Sequence, residues 1–332
     1  MKEYTIGPNE AGQRFDKYLA KCMSKAPKSF FYKMMRKKNI TLNKKKAAGN
    51  EILSEGDVVR IFVSDETFEM FSDVSEVQTA LGNLDILYED SDLVLVNKPV
   101  GVLSQPDKSK EASLVEYLNG YLLANSRITK EQLQTFHPSV VNRLDRNTSG
   151  IVACGCSLAG LQDLSEMFRK RTLHKFYLCL VEGVLVKEMK LQGYLKKDND
   201  KNQVIIRQKE FAGASYVETR YRPIQNDGIH TLLEVELLTG KTHQIRAHLA
   251  SIDHPIVGDF KYNHIEKSRR FAKDAGLTSQ FLHAWRLELP RDCKRLSPEL
   301  SGRTFTAPLP QIFQQVLKKT DIKEIGNNGT EK

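Results

Sequence analysis

The chain has 332 residues, 40% of them hydrophobic and 27% charged, an ordinary globular composition with length for about two domains. No stretch approaches the ~18 consecutive apolar residues of a membrane span, and Met1-Lys2-Glu3-Tyr4-Thr5 opens without the apolar region of a secretory leader. The net charge of +9 is concentrated at one end: residues 1–64 carry 14 Lys and Arg against 6 Asp and Glu, and the rest of the chain carries 36 against 35. Five cysteines, Cys22, Cys154, Cys156, Cys179 and Cys293, form an odd set without a CxxC pair. That speaks against a disulfide framework and a zinc ribbon, and makes a reducing cytoplasm the expected location.

The first unit runs to about Val63. Phe15, Leu19 and Cys22 recur at i, i+4 and i+7 and predict a helix. Ser29 is the expected N-cap of a second helix through Phe30, Phe31, Met34 and Met35, which ends in Arg36-Lys37-Lys38, where cations suit the negative end of the dipole. Ile40-Thr41-Leu42 predicts a short strand, Lys44-Lys45-Lys46 a turn, and residues 58–63 a second strand after Gly56-Asp57. Clustered cations with aromatics between them favour nucleic-acid binding over a merely solvated helix face. The expected phosphate contacts are Lys33, Arg36, Lys37, Lys38, Lys44, Lys45 and Lys46.

Residues 64–84 are acidic and weakly patterned and read as a linker. A second domain opens at Ile86-Leu87-Tyr88, turns at Glu89-Asp90-Ser91-Asp92 and enters the apolar run Leu93-Val94-Leu95-Val96, stopped by Asn97-Lys98-Pro99-Val100-Gly101. Residues 104–135 are polar and helical in parts, an expected surface excursion. Ser157 is placed to cap a helix with the stripe Leu158, Leu161, Leu164 and Phe168. Residues 176–181 predict a buried strand, and Leu233, Val235 and Leu237, alternating with Glu234 and Glu236, a half-buried one. Residues 318–332 form an expected frayed tail.

Two segments concentrate chemistry. Asn142-Arg143-Leu144-Asp145-Arg146-Asn147-Thr148-Ser149-Gly150 precedes the apolar strand Ile151-Val152-Ala153-Cys154. Loops at strand ends are where a sheet presents reactive groups, and an Asp between two Arg can be held ionised. The bland alternative is an Asx turn, with Asp145 bonding nearby backbone N–H groups. The second segment is Thr239-Gly240-Lys241-Thr242-His243-Gln244-Ile245-Arg246-Ala247-His248-Leu249. Gly240-Lys241-Thr242 imitates the end of a P-loop, but Val235 stands where that motif needs glycine, which excludes nucleotide hydrolysis on this signature. His243 and His248 are five apart and cannot share a helical face as zinc ligands do, whereas Gln244 and His248 can, with Arg246 off that face. His243 and Gln244 could equally satisfy backbone groups at the start of a helix.

These motifs carry a family resemblance. The segment from Arg143 to Gly150 resembles the H-R-L-D-x-x-T-S-G signature of the RluA/RluC/RluD pseudouridine synthases, with Asn142 at the histidine position. Asn97-Lys98-Pro99-Val100-Gly101 is similar to the family's first motif, and Lys175-Phe176-Tyr177-Leu178-Cys179-Leu180-Val181-Glu182-Gly183 to its K-x-Y-x-A-x-V-x-G strand. The segment from Gly240 to His248 resembles G-R-T-H-Q-I-R-x-H, with Lys241 for Arg. His254-Pro255-Ile256-Val257-Gly258-Asp259 and Leu282-His283-Ala284 extend the match over residues 86–310. Ahead of it, Arg14-Phe15-Asp16-Lys17-Tyr18-Leu19, Ser29, Ile40-Thr41-Leu42-Asn43 and Leu53-Ser54-Glu55-Gly56-Asp57-Val58-Val59 resemble an S4 RNA-binding domain, with Lys38-Asn39 where a glycine is usual.

The resemblance implies an α+β protein. Residues 1–63 would be a small S4-like α/β domain and 64–84 a linker. Residues 85–317 would be a catalytic domain on a mixed, mostly antiparallel sheet, and 318–332 a flexible tail. It implies an isomerase that converts uridine to pseudouridine, in large-subunit (23S) ribosomal RNA or, alternatively, in tRNA. A non-catalytic RNA-binding or ribosome-assembly protein is the competing class. Asp145 would be the essential carboxylate, as nucleophile or as base; Tyr177 the ring under the flipped base; Arg246 the carboxylate's partner. Arg143, Arg146, Thr148, Lys241, His243 and Gln244 would contact substrate, Arg143 by holding the gap a flipped base leaves. The family implies no metal or cofactor, no membrane, an RNA partner and a monomer.

Overall fold

The computed structural model describes residues 1–72, 79–109, 111–198, 203–293, 296 and 298–323. The N-terminal unit is a four-stranded antiparallel sheet in the order Lys2–Thr5, Val58–Ile61, Ile40–Leu42, Lys45–Lys46, packed against helices Phe15–Cys22 and Lys28–Arg36. Phe15, Leu19, Phe31, Met35, Ile40, Val59 and Ile61 form its core, each no more than 1% exposed. The second helix starts one residue before the expected cap: Pro27 is the N-cap, in extended conformation, and Ser29 lies inside the first turn. Lys44 begins in a left-handed turn with Asn43, but Lys45–Lys46 pairs as a short strand with Ile40–Leu42.

The stretch expected as linker contains a helix, Asp65–Phe71, capped by Ser64, whose Oγ accepts the Thr67 amide at 3.2 Å. Phe68 and Phe71 pack on the N-terminal core, and the rings of Phe71 and Phe30 lie 4.7 Å apart. This helix therefore extends the N-terminal body to residue 72; residues 73–78 lie outside the described residues. The body meets the rest of the chain through polar contacts. Glu10 accepts the Thr135 hydroxyl at 2.7 Å, and Asn9 accepts the Leu158 amide at 3.1 Å.

The larger body is built on an eleven-stranded sheet among the described residues. Its main path runs Gln203–Arg207, Met189–Asp198, Ser215–Asn226, His230–Leu237, His174–Glu182, Leu282–Glu288, Ser149–Gly155, Leu93–Lys98, Ile86–Glu89. Every pairing is antiparallel except Leu282–Glu288 with Ser149–Gly155. At that parallel step Gly150 sits at φ +111°, where a Cβ would lie 2.2 Å from the Ala284 carbonyl oxygen. Only glycine permits that approach, and it lies five residues past Asp145.

Two expectations about exposure change. Within 104–135, helix Leu114–Ala124 is not a surface excursion: Leu114, Leu118 and Leu122 are buried in the main core, one turn apart. Glu116 accepts the Ser113 amide and closes its N-terminus. Strand His230–Leu237 is buried on both faces rather than half-buried. Its carboxylates are covered by cations of the adjacent strand and of the next strand but one: Arg222 and Arg286 on Glu234 at 2.8 and 3.1 Å, Arg220 on Glu236 at 3.0 Å. Of the expected tail, Lys318 and Lys319 end helix Gln311–Lys319, Thr320 and Ile322 are buried, and residues 324–332 lie outside the described residues.

Candidate active site

The loop carrying Asp145 joins the short strand Ser139–Val140 to Ser149–Gly155. It is clamped from several sides. The Thr148 amide bonds the Asp145 backbone carbonyl at 2.9 Å, and Ser104 bonds both the amide and the carbonyl of Leu144. Lys98, completely buried, donates to the carbonyls of Pro99, Val102 and Arg146. Burial drags its pKa down to about 7, although the charge of Asp145 works the other way. With the loop's own polar groups so engaged, the Asp145 carboxylate is not spent on an Asx turn. It meets Arg246 Nη1 at 3.0 Å, with its side chain 26% exposed to the cleft.

Arg246 comes from helix Gln244–Ala250, whose cap residue His243 is left-handed at φ 54°, ψ 16°. Gln244 fixes the helix start. Its Oε1 accepts the Thr239 hydroxyl and the Lys241 amide; its Nε2 donates to the Glu218 carbonyl and the Thr219 hydroxyl. His248 also reaches Thr219, at 2.8 Å, so these two side chains do share a face and Arg246 points away from it. The guanidinium is then held from behind by Asp259, through Nε at 2.7 Å and Nη2 at 2.9 Å. Burial alone would disfavour the guanidinium's charge; the two carboxylates more than offset it and raise the pKa.

His243 Nε2 lies 3.7 Å from Asp145 Oδ2, beyond hydrogen-bond distance. Its Nδ1 is 2.9 Å from the Tyr262 hydroxyl, which accepts the Val204 amide at 2.8 Å and so has its own proton to give to His243. Burial lowers the imidazole pKa to about 4 against the pull of Asp145, so the ring is neutral near pH 7. Arg246 stacks its guanidinium 5.1 Å from the Tyr262 ring centroid.

Tyr177, on strand His174–Glu182, is 7% exposed, and burial together with the Asp145 charge raises the pKa of its phenol. A cleft of about 700 Å³ is lined by Asp145, Tyr177, Arg246, His243, Arg143 and Lys241, among others. That is ample for a planar ring system the size of a nucleobase, and it places a carboxylate, an aromatic face and a guanidinium around one space. The other residues singled out from sequence take different places. Thr148 and Gln244 touch the cleft, but Thr148 is buried against the Gln280 amide and Gln244's amide is fully engaged in the frame. Arg146 turns away to the Gly101 carbonyl and Glu111. Asn142 bonds the Ile151 carbonyl and the Ala153 amide and finishes the edge of a strand. Lys33, Arg36, Lys37, Lys38, Lys44, Lys45 and Lys46 are all exposed on the N-terminal unit.

Asp259, Lys98 and Tyr262 were not among the residues singled out from sequence. Asp259 and Lys98 stood inside quoted motifs, and a carboxylate or lysine in a motif that ends buried was the available signal. Tyr262 carried none. Among the described residues no group of three or more His, Cys, Asp and Glu is placed to hold a metal ion.

Residues 92–251 match the RNA pseudouridylate synthase family. Over 326 residues the chain is 32% identical to the ribosomal large subunit pseudouridine synthase C of Haemophilus influenzae, covering 96% of this chain and 95% of that protein. It is 32% identical to the Escherichia coli K12 protein of the same name, covering 86% and 87%. The solved structure of human RNA pseudouridylate synthase domain containing 4 shares the fold, with a TM-score of 0.54 at 22% identity, over 73% of this chain and 94% of that one. The chain belongs to the RluA/RluC/RluD family of RNA pseudouridine synthases, isomerases that act on RNA.

Proposed function

We propose that this chain isomerises uridine to pseudouridine in large-subunit ribosomal RNA, with Asp145 as its catalytic carboxylate. The reaction breaks the C1′–N1 bond and makes a C1′–C5 bond; C5 loses a proton and N1 gains one, so nothing is oxidised. Asp145 acts on the nucleotide as nucleophile or as base and is restored at the end of the cycle. Arg246 offers it a charge-assisted hydrogen bond and keeps it aimed. Tyr177 supplies a flat face for the extruded base and a hydroxyl within the same cleft. Arg143, exposed at the cleft and outside any ion pair among the described residues, is suited to fill the gap in the RNA stack.

The N-terminal unit is, on this reading, an S4-like domain that grips folded RNA through its seven exposed cations, none in an ion pair among the described residues. The protein works as a cytoplasmic monomer. The observation that carries the proposal is the bridge made by Arg246, from a fully buried carboxylate, Asp259, to a cleft-facing one, Asp145. Pseudouridine mapping of ribosomal and transfer RNA from cells lacking the protein tests it. The expected result is one or more sites missing from large-subunit rRNA. An unchanged rRNA map would refute the substrate, and a lost tRNA site would reassign it.

A further inference from the structure

A group of cations in the same cleft has no part in the steps above. Lys175, Arg171 and Arg169 line the wall beside Tyr177, with Lys241 in the loop next to them. Lys175 stands two residues before Tyr177 on one strand, so both side chains leave the same face about 6.6 Å apart. Its Nζ lies over the Phe168 ring, 5.7 Å from the centroid, and the residue is half-buried. Gly240 lies beside it: a Cβ there would stand 4.0 Å from Lys175 Nζ, in ordinary contact. Arg171 ends helix Leu158–Lys170 in the left-handed conformation at φ 58°, a place where glycine is the usual residue. Its amide bonds the Met167 carbonyl, which holds the residue at the cleft mouth.

Lys175 and Arg171 carry like charges close enough to oppose each other, with no anion paired to either among the described residues. Burial, and then the charge of Arg171, lower the Lys175 pKa. Among the described residues none of the four cations is in an ion pair. The cleft's two carboxylates are engaged elsewhere: Asp145 with Arg246, and Asp107 with the Ser109 amide. A half-buried ammonium beside a guanidinium is unfavourable unless an anion arrives.

We propose that Lys175 and Arg171, flanked by Arg169 and Lys241, form a subsite for a backbone phosphodiester of the RNA immediately beside the extruded uridine. The inference rests on the RNA-modifying reading of the cleft and deepens it. A phosphodiester has the missing charge, and its two free oxygens can be shared by an ammonium and a guanidinium. Contacts of this kind set register and orientation and are independent of sequence.

Full-length wild type is compared with Lys175→Gln, Arg171→Gln and Lys175→Arg, using an rRNA transcript that the wild type modifies. Affinity is measured over a series of salt concentrations, and single-turnover rate at saturating RNA. Arg171 is exposed, so its variant tests the subsite without touching the core. Each Gln variant should bind about tenfold more weakly at low salt and flatten the slope of log affinity against log salt by roughly 0.7 to 0.9. The saturating rate should stay within about threefold, and Lys175→Arg should recover most of the affinity. Unchanged affinity and slope in both Gln variants would overturn the subsite. So would a loss confined to the saturating rate, which would move Lys175 into the chemistry. A wild-type chain that modifies no RNA overturns the reading of the cleft itself, which is a separate outcome.

Discussion

Replacing Asp259 by Asn perturbs the site from behind, without touching the cleft. Asp259 receives two of Arg246's N–H groups, at 2.7 and 2.9 Å, with both side chains less than 10% exposed. An Asn carbonyl can accept one of them, but its amide group then faces the other donor. Removing one partner of a buried ion pair costs about 3–5 kcal/mol, and because Asp145 still holds Nη1 the lower end is expected, about 3 kcal/mol of folding stability. The same change loosens the Arg246–Asp145 contact, a charge-assisted hydrogen bond worth roughly 1.5–3 kcal/mol. Complete loss of that contact from the transition state would be roughly a 10- to 100-fold fall in turnover, which sets the upper bound; a loosened contact gives a fall of up to about that size. Asp259 Oδ1 also accepts the amides of Lys261 and Tyr262, so the His243 brace slackens with it. Urea unfolding gives the first quantity and single-turnover pseudouridine formation at saturating RNA gives the second. RNA affinity should stay within about threefold, since Asp259 is 1% exposed and away from phosphate. A variant as active and as stable as wild type would refute the idea that Asp259 sets the catalytic carboxylate through Arg246.

Two further outcomes follow from other parts of the molecule. Replacing Arg36, Lys37 and Lys38 with Ala should weaken RNA binding and flatten its salt dependence by up to about 2 to 3 in log–log slope, read by filter binding; a wild-type slope would remove the N-terminal unit from the RNA surface. Burial lowers His248 and His283 from 6.5 to about 4, so between those values the unfolded chain binds protons that the folded chain does not. Stability from these rings is therefore complete above about pH 6.5 and is lost as pH falls toward 4, on the order of 3 kcal/mol per ring. Urea midpoints between pH 4.5 and 7 should fall on the acid side, and less so in His283→Gln; equal slopes in the two proteins would contradict the assignment.

How much was legible in the sequence depended on where the partners lie. Periodicity found the helices beginning at Phe15 and Leu158 and the buried strand through Tyr177, because their apolar spacing is local. It misjudged Leu114–Ala124, whose three-leucine face lies in a stretch read as a polar surface excursion, and passed over the short strand Lys2–Thr5, which is defined by its pairing with the distant Val58–Ile61. Glu234 and Glu236 imitated a solvent face because the arginines covering them come from strands elsewhere in the chain. In the site, the motifs located Asp145, Tyr177 and Arg246, which the fold gathers around one cleft. They could not separate residues facing the cleft from those spent on its frame. Gln244 and Arg146 looked like substrate contacts, and only the carbonyls of Glu218 and Gly101, distant in sequence, reveal their engagement. Lys98 likewise reads as a turn lysine until the Arg146 carbonyl, 48 residues on, is seen to receive it.

The central claim is that one carboxylate performs the isomerisation, and Asp145→Asn tests it most directly. Wild type and variant are incubated with large-subunit rRNA transcript, and pseudouridine is mapped by nucleotide while affinity is measured in parallel. The account predicts pseudouridine with the wild type and none with the variant, at affinities within about threefold, because an amide keeps the shape of the carboxylate but loses its charge and basicity. Undiminished pseudouridine from Asp145→Asn would contradict it.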